Sequence, residues 1–85
     1  MITEKEFRQL LNKTTIKRYK SVDGCWALSA IYPLSLAEPN KMRSYSYYGM
    51  PKVSWARSKT LITRRLYEEL ARGWGFYGDV TPFIK

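Results

Sequence analysis

Residues 15–32 read TIKRYKSVDGCWALSAIY, and this stretch decides the fold. The dipeptide Asp23-Gly24 is favoured in two-residue hairpin turns, and it separates two β-prone segments, 15–22 and 25–32. In the second segment every second residue from Trp26 to Tyr32 is apolar, as expected for a half-buried strand. The pattern predicts an antiparallel hairpin. Because a short apolar run fits the periodicity of a helix as well as that of a strand, a helix over residues 26–37 interrupted by Pro33 stays open as an alternative.

A second hairpin is predicted further along the chain. Residues 33–40 contain two prolines and predict a connecting loop. The segment Ser44 to Tyr48 is rich in tyrosine and typical of a strand. Gly49-Met50-Pro51 then predicts a turn, and residues 52–55 resume the strand pattern. The two hairpins together predict a small antiparallel sheet.

Helices are predicted at both ends of the chain. Thr3 and Glu6 have the spacing of a capping box, and the helix that they begin is expected to end near residue 12 or 13. The second helix is expected to begin after Ser58, or after Ser54, and to end at Gly73 as its C-terminal cap. Its apolar stripe contains Ile62, Leu66 and Leu70. The predicted fold is therefore α+β, with residues 1–85 forming a single small basic domain and both helices packed on one face of the sheet.

The composition argues against catalysis and against a bound metal or cofactor. The chain has no histidine, so the commonest general base near neutral pH and the commonest metal ligand are missing. Its one cysteine, Cys25, forms neither an internal disulfide nor a cysteine metal cluster. We expect a non-enzymatic protein without cofactor or metal. The charged first residues and the lack of a long apolar run predict a cytoplasmic protein with no membrane association.

The chain has a net charge of +8, and seven of its cations lie between Glu38 and Glu68. No acidic residue occurs between Glu38 and Glu68, and the cations there alternate with aromatic residues. Lysine and arginine neutralise phosphates, while aromatic rings stack on unpaired bases. The alternative is a solvated basic surface over an aromatic core. The candidate binding residues in this region are Lys41, Arg43, Tyr45, Tyr47, Lys52 and Arg57.

The first hairpin adds a second group of cations, of which Lys17 and Arg18 are the candidate binding residues. If both hairpins belong to one sheet, their basic surfaces can merge. The alternative is that exposed lysines protect an edge strand from pairing with other chains.

Two classes of function fit these residues. The first is a non-catalytic accessory protein that binds nucleic acid through Lys/Arg contacts to phosphates and tyrosine stacking. The second is a modulator or inhibitor that binds a larger host enzyme or complex through the same residue types. In size, basicity and lack of catalytic residues the chain is similar to small accessory proteins of mobile genetic elements, including phages. The sequence leaves open whether the partner is DNA, RNA or protein, and what the oligomeric state is.

Overall fold

The computed structural model describes residues 1–20, 24–49, 52 and 57–84. Their elements are helix α1 (Glu4–Asn12), strands β1 (Thr15–Lys20), β2 (Trp26–Pro33) and β3 (Met42–Tyr48), helix α2 (Lys59–Trp74) and a 3-10 turn at Thr81–Phe83. The predicted α+β class is confirmed, and residues 26–33 form a strand rather than a helix.

The sheet is a three-stranded antiparallel meander in the order β1-β2-β3. Strand β3 pairs with β2, with Ala30 opposite Tyr45 and Leu28 opposite Tyr47. The prediction of two separate hairpins is therefore corrected, because β2 is shared by both pairings. The turn and the fourth strand expected over residues 49–55 fall largely outside the described residues.

The register of the first hairpin differs by one residue from the register that a two-residue turn at Asp23-Gly24 would produce. Lys20 pairs with Trp26, so residues 21–25 connect the strands, and within this segment residues 21–23 lie outside the described part. In the observed register Ile16 lies opposite Ala30 and packs against the core. Because side chains alternate between faces, a one-residue slip would move Ile16 to the other face. Burial of Ile16 explains the observed register.

Helix α1 begins as predicted. The Thr3 side chain accepts a hydrogen bond from the Glu6 amide at 3.1 Å, and Glu6 Oε1 accepts one from the Thr3 amide at 2.8 Å. This reciprocal capping box satisfies two backbone donors that the first turn of a helix leaves unpaired. The helix ends at Asn12, within the predicted range.

Helix α2 begins as predicted but ends later. Ser58 caps it by accepting a hydrogen bond from the Leu61 amide at 3.2 Å. The predicted end at Gly73 is wrong, because the helix continues through Trp74 and Gly75 adopts the left-handed cap conformation with φ 83. Trp74 extends the helix because its ring is buried and its Nε1–H donates to the Pro33 carbonyl oxygen at 2.8 Å.

This shift of the cap predicts opposite effects for two glycine substitutions. Gly73→Ala should stabilise the protein by about 0.5–1 kcal/mol, because position 73 is helical and open around the added methyl group. Gly75→Ala should destabilise it by about 1–2 kcal/mol, because only glycine adopts the left-handed conformation without strain. Urea unfolding of both variants measures the difference. Equal effects of the same sign would contradict the observed helix end.

The core lies between the helices and one face of the sheet. Phe7 of α1 stacks on Phe76 with ring centroids 4.4 Å apart, and Leu28 and Ala30 contribute from β2. The C-terminal segment packs back on this core as predicted, with Phe76 and Phe83 both buried. Both helices contact β2 from the same side, so the opposite face of the sheet has no helix over it among the described residues.

Candidate nucleic-acid interface

The face of the sheet that is turned away from the helices is the candidate interface, and we refer to it as the open face. Strand alternation separates it from the core face, where Leu28 and Ala30 are buried. The open face consists of Thr15, Lys17, Tyr19, Ala27, Ser29, Ile31, Met42, Ser44, Ser46 and Tyr48.

Two tyrosines and one alanine form a row across the open face. Ala27 pairs with Tyr19 of β1 on one side and with Tyr48 of β3 on the other. Tyr19 is 47% exposed and Tyr48 is 74% exposed. Adjacent strands lie about 4.8 Å apart, so the two tyrosine backbones are separated by about 10 Å. A flat ring stacked on both sides needs about 7–8 Å. The backbone spacing of the row therefore matches one base held between two rings, and we refer to the space between the Tyr19 and Tyr48 rings as the slot. Ala27, which lies between them on β2, is only 9% exposed.

The neighbouring row is polar. Lys17, Ser29 and Ser46 lie opposite one another on the three strands. Lys17 is exposed and offers an ammonium group, while the two hydroxyls can donate or accept hydrogen bonds. Beside the tyrosine slot there are thus one cation and two neutral polar groups.

The far end of the open face is apolar. Ile31 is 49% exposed and Met42 is 46% exposed. Ile31 lies between Thr15 and Ser44 in the row that follows Lys17. The open face therefore changes from aromatic through polar to aliphatic along the strands.

The strands of the sheet carry positive charge and no acidic residue. Within the described ranges the four ion pairs are Glu4–Arg8, Glu38–Lys41, Glu68–Arg64 and Glu69–Arg72, and none involves a strand residue. Lys17 on the open face therefore has no ion pair in this part of the chain, whereas Arg43 shares a groove with Glu69.

The predicted cations are distributed over several surfaces. Lys17 lies on the open face. Lys41 precedes β3 and its Nζ lies 2.7 Å from Glu38 Oε2, so part of its charge is neutralised. Arg43 is exposed on β3 but points to the helix side, where it lines a groove beside Trp74.

Lys52 and Arg57 are both exposed and flank the undescribed segment 53–56. Their role in binding stays a prediction.

Tyr45 and Tyr47 lie on the helix side of β3, not on the open face. Both are half-buried against the core, with their ring centroids 6.5 Å apart and nearly parallel. Burial raises the pKa of Tyr45, and the Glu69 carboxylate adds to that increase. Stacking of bases on both rings requires an exposed face, whereas this face is turned to α2. The geometry instead favours Tyr19 and Tyr48, which sequence reasoning did not separate from the other aromatic residues.

Arg18 connects β1 to α2. It is half-buried, and its Nε–H donates to Thr63 Oγ1 at 2.8 Å. The Thr63 hydroxyl in turn donates to the Lys59 carbonyl oxygen at 2.8 Å. Thr63 is 2% exposed, so this chain of bonds satisfies a buried polar group and fixes the guanidinium against the first turns of α2. Thr63 could not be identified from local sequence patterns, because its partner lies 45 positions away.

The described residues contain no group of three or more His, Cys, Asp or Glu placed to hold a metal ion. Cys25 is buried and is not in a disulfide. No helix in the described ranges has the length and apolar character needed to cross a membrane.

Comparison of the chain with protein-family models, with curated proteins and with solved structures gave no match.

Proposed function

We propose that this protein is a small, non-catalytic accessory protein that binds single-stranded nucleic acid on the open face of its sheet. The observation that carries the proposal is the row Tyr19–Ala27–Tyr48, which presents two exposed rings on a basic sheet without acidic residues. Aromatic platforms of this kind bind unpaired bases with little sequence preference. We place the protein in the cytoplasm, where its lone thiol stays reduced.

In the proposed complex, one base enters the slot between the two tyrosine rings. Lys17 and the serine hydroxyls of the adjacent row contact the neighbouring nucleotide. Lys20 of β1 and Arg43 of β3 lie on the helix side of the two edge strands, so in the complex the nucleic-acid backbone bends around the sheet edges to bring its phosphates to them. In a duplex the bases are stacked on each other and unavailable to the slot, so single strands should bind more tightly than duplex.

We expect binding to weaken steeply with salt and to favour single strands. With about four to six phosphate contacts on a single strand, log affinity plotted against log salt concentration should have a slope of about −3 to −4. Fluorescence anisotropy of labelled oligothymidylate, titrated at several salt concentrations, measures the slope. The same strand annealed to its complement is the control. Equal affinity for duplex and single strand at every salt concentration would reduce the interaction to general charge attraction and remove the slot from the proposal.

A second candidate is a protein partner, for which the protein would act as a modulator or inhibitor. The observation that favours it is the exposed pair Ile31 and Met42, an apolar patch at the end of the open face that is separated from the tyrosine row by the polar row of Lys17, Ser29 and Ser46. Tyrosine and methionine are enriched at protein interfaces. Ile31→Thr and Met42→Thr should leave oligonucleotide affinity unchanged under the first proposal and weaken a protein complex under the second. Affinity capture from lysate with and without nuclease separates the two.

A further inference from the structure

A cleft of about 410 Å³ opens on the helix side of the β1 edge, away from the open face. It lies between α1, the N-terminal turns of α2 and the C-terminal 3-10 turn. Three cations line it, each from a different element: Arg8 of α1, Arg18 of β1 and Lys59 of α2. The remaining lining residues are neutral, namely Leu11, Asn12, Thr60, Thr63, Tyr67 and Phe83.

Each of these cations makes a contact within the protein. Arg18 is fixed by its hydrogen bond to Thr63. The Arg8 guanidinium lies 4.7 Å from the centre of the Phe83 ring. Lys59 Nζ lies 5.8 Å from the centre of the Trp26 ring. Arg18 is therefore positioned before any ligand arrives, which reduces the entropy lost on binding, whereas Arg8 and Lys59 are exposed side chains in contact with aromatic rings.

The positive charge of the cleft is only weakly compensated. The one ion pair among these cations in the described ranges joins Arg8 Nη2 to Glu4 Oε1 at 3.8 Å, and both side chains are more than half exposed. An exposed ion pair of this kind has only a small interaction energy. Like charges that converge on one cavity repel one another, and an anion between them relieves the repulsion.

The donors of the cleft match a phosphate group. Arginine binds phosphate oxygens through two parallel N–H bonds, and lysine adds a point charge. Asn12 and Thr60 offer neutral donors beside them. Leu11, Tyr67 and Phe83 form an apolar wall, and the volume falls within the range of small-molecule sites.

We propose that this cleft binds a phosphate group of a nucleotide-sized ligand, at a site separate from the open face. The phosphate belongs to a free nucleotide or to the 5′ end of a nucleic-acid strand. The proposal does not depend on base stacking by Tyr19 and Tyr48, because none of the cleft residues lies on the open face.

Calorimetric titration with inorganic pyrophosphate at fixed ionic strength tests the site. Arg18→Gln and Lys59→Gln should each weaken pyrophosphate binding about tenfold, as loss of a charged hydrogen bond does. Lys59→Gln leaves the Arg18–Thr63 bond in place, so it tests the site even if Arg18→Gln impairs folding. Lys5→Gln removes one positive charge from the exposed side of α1 and should leave binding unchanged.

The source of the phosphate is resolved by two further probes, adenosine monophosphate and a trinucleotide with or without a 5′ phosphate. Binding of the monophosphate identifies a nucleotide site, whereas a preference for the phosphorylated trinucleotide alone identifies a strand end. Either result supports the phosphate site if Lys59→Gln weakens that binding about tenfold, as it should for pyrophosphate. No pyrophosphate binding at millimolar concentration, or an equal loss in Lys5→Gln, would overturn the proposal.

Discussion

Phe7→Ala is expected to lower the free energy of unfolding by about 3–5 kcal/mol. The Phe7 side chain is fully buried, and its ring contacts three other aromatic rings. It stacks on Phe76 at 4.4 Å and meets Trp74 and Phe83 edge-on at 5.7 and 4.9 Å. These partners come from the end of α2 and from the C-terminal segment, so removing the ring opens a cavity where α1, α2 and the tail meet.

The loss is a large fraction of the total, because a domain of this length has about 4–13 kcal/mol of stability. Urea unfolding followed by far-UV circular dichroism gives the value. Tyr77→Ala is the matched control, because Tyr77 follows Phe76 directly but is 78% exposed. Its effect should stay within about 0.5 kcal/mol. A loss below about 1 kcal/mol for Phe7→Ala would contradict the aromatic core.

Combined replacement of Tyr19 and Tyr48 by alanine is expected to produce the largest loss of nucleic-acid affinity. Stacking contributes about 1–3 kcal/mol per base, so each single variant should weaken single-strand binding by roughly 5- to 150-fold. Both tyrosines are exposed, so neither change should affect folding strongly. Since no charge is removed, the dependence of affinity on salt should stay the same.

Lys17→Gln, unlike the tyrosine variants, should change the salt dependence of binding. It should weaken binding to all sequences alike. The slope of log affinity against log salt concentration should become shallower by the equivalent of about one phosphate contact. Tyr77→Ala, an exposed tyrosine outside the open face, should leave the affinity unchanged. If binding responds to Lys17→Gln but not to the tyrosine changes, the open face attracts nucleic acid without the slot, and a protein partner becomes the better proposal.

Local signals explain why much of the fold was predictable from the sequence. The capping box at Thr3 and Glu6 and the cap at Ser58 are made by residues within three positions of each other. The alternation from Trp26 to Pro33 likewise depends only on neighbouring residues. Such features require no knowledge of distant contacts.

The errors arose where a distant contact decides the outcome. Helix α2 continues past Gly73 because Trp74 reaches the carbonyl oxygen of Pro33, which lies 41 positions earlier. The register of the first hairpin follows from burial of Ile16 against the core. Neither contact leaves a signal in the adjacent sequence.

The residue types of the candidate interface were predictable, whereas their placement was not. Tyr45, Tyr47 and Tyr48 are close in sequence, but their side chains alternate between the core side and the open face. Which face is open depends on the strand register and on where the helices pack. The sequence therefore indicated a basic and aromatic surface. The candidate binding residues taken from it were Tyr45 and Tyr47, which lie on the core side, and did not include Tyr48, which lies on the open face.

The most direct test of single-strand binding on the open face is the ¹H–¹³C spectrum of the tyrosine rings during titration with oligothymidylate at low salt. The chain has seven tyrosines, so the signals can be assigned one by one by substitution. Stacked bases shift ring protons upfield through their ring currents. We expect upfield shifts for Tyr19 and Tyr48 and little change for the half-buried rings of Tyr45 and Tyr47. Signals of Tyr19 and Tyr48 that stay in place while the oligonucleotide is bound would contradict the proposed interface.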